Sequence, residues 1–253
     1  MDGFTRIFIR VYQPNPRRLE APTFGIRVPL SFMLSSYNFS FLITRTLVTT
    51  TQHTMNHPTR IAGVILAGGR ARRMNNRDKG LVNLNGRPMV SYAIAALAPV
   101  VDQLFINANR NIEQYRHFGR PVISDSNDRF DGPLAGILSA MIHADADILV
   151  VMPCDSPLIK TEHLRKLLLS RAEHNADVAV AFDGIRQHPV FLAIKTSLRS
   201  SLQEYLAGDH HKVATWLAQL HGVQADFSHQ PEIFTNINTL TELSTLEETN
   251  YLS

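Results

Sequence analysis

Cysteine is almost absent: Cys154 is the single thiol in 253 residues. An internal disulfide is therefore excluded, and the usage fits a reducing compartment, so a cytoplasmic setting is expected. No Cys/His group has the spacing of a zinc site. Long apolar runs are missing too. The most apolar part of the early chain, Val28 to Ile43, is interrupted by Ser, Tyr and Asn and is too short for a membrane span. Lysine is absent from residues 1–54, which hold six arginines and two acids, Asp2 and Glu20, a balance of +4. Residues 55–253 hold 19 basic and 20 acidic residues, a balance of −1. The pI of about 9.2 thus reflects the first segment. The body of the chain has neither the charge nor a motif for binding nucleic acid.

Several catalytic signatures are lacking as well. There is no Gly-x-Gly-x-x-Gly dinucleotide pattern and no P-loop. The second strand expected in the body ends in "NANR", with no acidic residue placed for a ribose, which disfavours a nicotinamide enzyme. No Ser-His-Asp set, activated cysteine or paired catalytic carboxylates can be picked out. Cys154 reads as a packing residue, since no basic partner stands near it in the pattern.

What is present is a chain of 44% hydrophobic and 19% charged residues, an ordinary globular balance. Residues 1–54 show no sustained helical or strand periodicity. They are rich in Arg, Ser and Thr and poor in acids, in the manner of a transit peptide. Met55 stands eight residues before Gly63, a natural distance for a start ahead of a first strand. The expectation is an upstream extension over 1–54 with no role in the fold, a targeting peptide or an ordered accessory segment being the alternatives. One domain is expected over 55–253.

From Ile61 onward strands and helices alternate. "IAGVILA" and "DILVVMP" are apolar runs suited to parallel strands buried on both faces. "QLFINA", "PVIS", "DVAVAF" and "HPVFLAI" read as further strands. Helices are expected from about Pro88, over Pro133–Ala144 and over Thr161–His174 with Thr161 as N-cap. Two more are expected around Thr196–Ala207 and Lys212–His221. The alternation predicts an α/β fold with a mostly parallel central sheet and helices on both faces. Ligands of such sheets bind beyond the carboxyl ends of the strands.

The first apolar strand runs into Leu66-Ala67-Gly68-Gly69 and then Arg70, Arg72, Arg73 and Lys79. Glycines let backbone N–H groups approach a phosphate or base closely, and the cations suit phosphate oxygens. A double glycine after a strand is common as a plain surface turn. The whole string, "LAGGRARRMNNRDKG", is more specific. It resembles the signature loop of nucleotidyltransferases that activate sugars and cofactors. The spacing to Arg72-Arg73-Met74 and Asp78-Lys79-Gly80 is most similar to the molybdenum cofactor guanylyltransferases. Asn75 stands where that family usually has glycine; asparagine tolerates left-handed backbone better than most residues.

The resemblance covers nearly all of residues 55–253 and implies a single Rossmann-like nucleotidyltransferase domain. It implies that GMP passes from GTP to the terminal phosphate of Mo-molybdopterin, with release of pyrophosphate. Leu66, Ala67, Gly68, Gly69, Lys79, Asn107, Asp125 and Asp155 are then the GTP-binding residues. Lys79, Arg73 and Asp155 are the catalytic ones, and Asp155 is the Mg²⁺ ligand. The "DGPLAG" stretch, Asp131 to Gly136, opens the helix lining the nucleotide pocket. His188, followed by Pro189, and Asn236 and Asn238 of "TNINT" fall on positions facing the acceptor; alternation in a short strand would point both asparagines the same way. Molybdoenzymes or their chaperones would receive the product, and a monomer is the expected state. The alternatives are a cytidylyltransferase for the same cofactor, a sugar-phosphate nucleotidyltransferase, and a non-catalytic nucleotide-binding protein.

Overall fold

The computed structural model describes residues 58–68, 78–125 and 132–248, with the backbone of two strands nearer the start of the chain. The chain divides into two units, Met1–His57 and Pro58–Ser253. In the first, β1 (Phe4–Ile9) and β2 (Phe24–Pro29) pair antiparallel, with Phe4 opposite Pro29 and Ile9 opposite Phe24. The sequence pattern does not announce this ribbon, because consecutive apolar residues such as Ile7, Phe8 and Ile9 blur the two-residue alternation.

The second unit is built on β3 (Ile61–Leu66), β6 (Gln103–Asn107), β7 (Val122–Ile123), β8 (Ile148–Pro153), β9 (Val178–Phe182), β10 (Gln187–Lys195) and β11 (Gly222–Asp226). A small hairpin, β4 (Asn83–Leu84) and β5 (Arg87–Pro88), lies outside that sheet. The helices are α1 (Met89–Leu97), α2 (Ile112–Arg116), α3 (Pro133–His143), α4 (Thr161–Glu173), α5 (Arg199–Ala207), α6 (Val213–Leu217) and α7 (Leu240–Glu248).

The seven strands lie in the order β11-β9-β10-β8-β3-β6-β7. β10 alone is antiparallel to its neighbours, so the sheet is mostly parallel as its apolar runs predict. The chain moves from β3 outward to β6 and β7, then returns to the other side of β3 as β8. The reversal places a crevice at the carboxyl ends of β3 and β8, where ligands of open α/β sheets bind.

Strand alternation divides the core cleanly. Ile65, Ile106, Val150 and Met152 face one side, against α1 and α4 residues such as Val90, Leu97, Leu164 and Leu167. Val64, Phe105, Leu149 and Val151 face the other, against α3, α5 and α6 residues such as Ile137, Leu202 and Trp216. Helices therefore cover both faces. A third, smaller cluster of Leu84, Met89, Leu158, Ile237, Leu243 and Leu246 fixes α7 and the chain leading into it.

Two local expectations are corrected. Thr161 is not the cap of α4; the cap is Lys160, and the Thr161 hydroxyl instead donates to the carbonyl of Ala96 at 3.0 Å. The end of α4 is satisfied by His163, whose Nδ1 accepts the Lys160 N–H at 2.9 Å. Burial holds the His163 imidazole below its ordinary range, in keeping with a neutral acceptor. Second, Thr235–Asn238 form no strand, although Ile237 N–H donates to the Asp155 carbonyl at 2.9 Å. α7 begins instead with a reciprocal cap: Glu242 N–H donates to Thr239 Oγ1 at 3.1 Å, and Thr239 N–H to Glu242 Oε2 at 2.9 Å.

Trp216 is fully buried and its Nε1–H donates to Ser201 Oγ at 3.3 Å. Trp216→Ala leaves a large cavity on the α5–α6 side and is expected to cost about 3–5 kcal/mol. Urea unfolding followed by circular dichroism measures it, and a loss under about 1 kcal/mol would mean that this face collapses freely.

Candidate active site

The crevice at the switch point is a cleft of about 600 Å³, in the range of small-molecule sites. The chain reaches it at strand ends. Leu66 ends β3, with Ala67 and Gly68 beyond it; Asn107 ends β6, with Asn109 two residues on; Asp125 follows β7; Pro153 ends β8, with Cys154 and Asp155 beyond it. Gly132 and Pro133 bring in the start of α3, Lys79 comes from the turn before β4, and Val190 and Asn236 complete the wall. Backbone bonds lock these ends together: Ala67 N–H donates to the Asn107 carbonyl at 2.8 Å and Cys154 N–H to the Leu66 carbonyl at 3.1 Å.

One side of the cleft is charged. Lys79 Nζ lies 2.8 Å from Asp155 Oδ2 and donates also to Asn238 Oδ1 at 2.6 Å. An ammonium has three donors, so one remains for a ligand. Asp155 Oδ1 is buried and has no hydrogen-bond partner among the described residues. A buried carboxylate oxygen without a donor is costly unless something else meets it. Among the described residues no three His, Cys, Asp or Glu side chains cluster as metal ligands. A lone carboxylate oxygen still fits a magnesium ion that takes its remaining ligands from water and phosphate.

The other side is an amide–carboxylate array. Asn107 Nδ2 donates to Asp125 Oδ1 at 2.9 Å, and Asn109 Nδ2 donates to Asp125 Oδ2 at 2.6 Å. The Asp125 N–H returns a bond to Asn109 Oδ1 at 2.9 Å. Asn107 is almost fully buried, and its carbonyl end lies under Gly136 of α3, where any Cβ would overlap it. The glycine of "PLAG" thus makes room for an asparagine side chain from β6.

The structure brings together Leu66, Ala67, Gly68, Lys79, Asn107, Asp125 and Asp155, as the sequence predicts. Asn236 and Asn238 also arrive, by alternation about the buried Ile237 rather than within a strand: Asn236 Oδ1 accepts the Ser156 hydroxyl at 2.6 Å. Gly69, Arg70, Arg72, Arg73, Asn75 and Asp131 lie outside the described residues. His188 does not line the cleft. Its ring stacks on Phe234 with centroids 4.1 Å apart, and its Nε2 lies 2.7 Å from Asp183 Oδ2. Two residues on, Val190 is the part of β10 that reaches the cleft, within an irregularity in pairing between His188 and Leu192. Pro189, which has no N–H for a ladder, stands in that irregular stretch. Cys154 is buried, and burial together with the Asp155 charge pushes its thiol well above the ordinary range, which suits packing rather than attack.

Sequence reasoning missed Asn109, although it sits two positions after Asn107 and so shares its side of an extended chain. It also missed Ser156, which holds Asn236.

A buried lysine–aspartate pair with one carboxylate oxygen left without a partner among the described residues, at the switch point of a mostly parallel sheet, is a site pattern that suits an α/β nucleotidyltransferase. The comparisons narrow the class. The description "MobA-like NTP transferase domain" matches residues 63–223. A molybdenum cofactor guanylyltransferase of Shewanella loihica is 46% identical over 188 residues, 74% of this chain and 96% of that protein. One of Shewanella baltica is 48% identical over 179 residues, covering 71% and 91%. The crystal structure of molybdopterin-guanine dinucleotide biosynthesis protein A from Archaeoglobus fulgidus shares the fold, with a TM-score of 0.62 at 23% identity over 75% of this chain and 97% of that one. The chain belongs to the MobA-like NTP transferase family.

Two expectations follow. Gly136→Ala drives a methyl group into Asn107 and should weaken nucleotide binding by roughly tenfold or more, since overpacking costs about 1–3 kcal/mol. Calorimetric titration with nucleotide decides it; wild-type affinity would remove Asn107 from the nucleotide site. The second concerns acid. Backbone N–H groups of Arg186 and Ile185, then His188, hold the Asp183 carboxyl at about 2 against an ordinary 3.8. A folded-state pKa below the unfolded one stabilises fully above about pH 4 and is lost as the pH falls toward 2. Thermal melts between pH 5 and 2 should therefore show a shallower acid decline in Asp183→Asn than in wild type; superimposable declines would contradict this.

Proposed function

We propose that the protein transfers the GMP moiety of GTP to the terminal phosphate of Mo-molybdopterin, giving the guanine dinucleotide cofactor and pyrophosphate. The observation that carries the reading is Lys79 paired with Asp155 on one side of the cleft while Asp155 Oδ1 is left without a partner among the described residues. The relatives' name supplies the donor and acceptor.

An oxygen of the acceptor phosphate attacks the α-phosphorus, and the bond to the β-phosphate oxygen breaks. A phosphate monoester is largely dianionic near pH 7, with its second pKa at about 6, so no side chain has to remove a proton. This accounts for a cleft whose lining, among the described residues, holds the buried Cys154 as its one thiol and no histidine. The task left to the protein is to hold two anions in line and offset their repulsion. Lys79 offers its remaining N–H to a phosphate oxygen, and Arg73 joins it from the same loop. The Leu66–Gly68 backbone, Asn107 and Asp125 hold the nucleoside. Asp155 Oδ1 holds magnesium, which when bound neutralises charge on the triphosphate and the leaving pyrophosphate. Asn236 and Asn238 face the acceptor; His188, clasped by Asp183 and stacked on Phe234, supports the fold beside the cleft without lining it. The product then passes to molybdoenzymes or their chaperones, in the cytoplasm.

Pyrophosphate release with molybdopterin and GTP, CTP or UTP in turn tests the reading. GTP alone should support turnover, and preference for CTP would make the protein a cytidylyltransferase. Asp155→Ala should lower turnover by roughly two orders of magnitude or more. Near-normal rates in that variant would take Asp155 out of the chemistry.

A further inference from the structure

Asp78, next to Lys79, is a buried carboxylate that the reaction does not use. Its side chain is 3% exposed. Oδ1 accepts the Tyr115 hydroxyl at 2.6 Å, Oδ2 accepts Asn111 Nδ2 at 3.0 Å, and Arg110 Nε lies 3.5 Å from Oδ2. All three partners come from the segment that follows β6. Tyr115 is fully buried, and burial with the nearby charges keeps its phenol far above the ordinary range, so it acts as a neutral donor. Asn111 adopts left-handed backbone, φ 52°, at the start of α2.

A buried carboxylate is tolerated only when its oxygens are met. Here the arrangement has a geometric consequence for its neighbour. Lys79–Leu81 is one short 3₁₀ turn, closed by Leu81 N–H to the Asp78 carbonyl at 3.0 Å. A single turn has no stability of its own. Lys79 therefore stands where Asp78 is pinned. Gly80 completes the device: a Cβ there would overlap the Tyr115 hydroxyl and come within 3.3 Å of Cys154 Sγ. In Asp78-Lys79-Gly80 the first residue anchors inward, the second faces the cleft, and the third leaves room for the phenol to reach the first.

We propose that Tyr115, acting through Asp78, is a positioning residue that sets Lys79 for the phosphates of the nucleotide. The inference rests on the reading of Lys79 as a phosphate contact. It does not depend on which acceptor the enzyme uses.

The experiment measures affinity for GTP and for guanosine by calorimetry in wild type, Lys79→Ala, Tyr115→Phe and the double variant. Lys79→Ala should weaken GTP by roughly tenfold and leave guanosine unchanged, the cost of one charge-assisted phosphate contact. Tyr115→Phe should weaken GTP by roughly three- to tenfold, again sparing guanosine, and the double variant should be no worse than Lys79→Ala alone, as for residues that act in series. Asn111→Gly, at an exposed site whose backbone suits glycine, removes a second donor to Asp78 and should shift the GTP-to-guanosine ratio in the same direction. Equal losses for GTP and guanosine, or additive losses in the double variant, would show that Tyr115 does not act through Lys79. Because binding is the readout, a protein that binds GTP yet releases no pyrophosphate defeats the transfer reading while the affinity ratios still decide this one.

Discussion

The pairing of Lys79 with Asp155, 2.8 Å apart and mostly withdrawn from water, is the constraint around which the rest is arranged. Two opposite charges brought to one place lose hydration, and removing either leaves the other stranded. The fold meets that cost by over-determining both partners. Asp155 follows a fully buried strand and is tied through its carbonyl to Ile237; Lys79 rides on a turn pinned at Asp78 and held again by Asn238. Residues from four separate stretches thus agree on one point in space. An anionic ligand arriving there finds charges already set, which is the condition under which electrostatics assist phosphoryl chemistry most.

The sheet explains why that point lies where it does. β3 and β8 are neighbours whose onward connections leave in opposite directions, so a crevice opens beyond their ends. α3 then closes one side, close enough that Gly136 must lack a side chain for Asn107 to fit. One half of the cleft is accordingly a lattice of amides around Asp125, while the other is a balance of full charges.

Most of this was legible in the residues. Apolar runs ending in Leu66 and Pro153 located the buried strands, and the residues just past them located the site. The reversal of β10 was not legible, because "HPVFLAI" offers the same apolar face whichever way it runs. Thr161 was a reasonable cap by type, but a tertiary acceptor, the Ala96 carbonyl, took its hydroxyl. The cap that does exist at Thr239 and Glu242 carried a readable signature three residues apart. His188 illustrates the limit most plainly: its place in the motif points to the acceptor, yet Asp183 in the turn of its own hairpin and the stacked Phe234 decide its surroundings. Asp78 and Tyr115 lie 37 positions apart, and only the folded chain reveals that they meet.

The single reversed strand carries one more implication. Because β10 runs against β8 and β9, the hairpin joining β9 to β10 projects from the same end of the sheet as the cleft, and Ile185 at its tip is almost wholly in solvent. A tip of that kind can gain or shed residues during descent without disturbing a single rung of the ladder beneath it. The cleft, whose lining draws on none of residues 183–186, and this tip can thereby diversify at different rates.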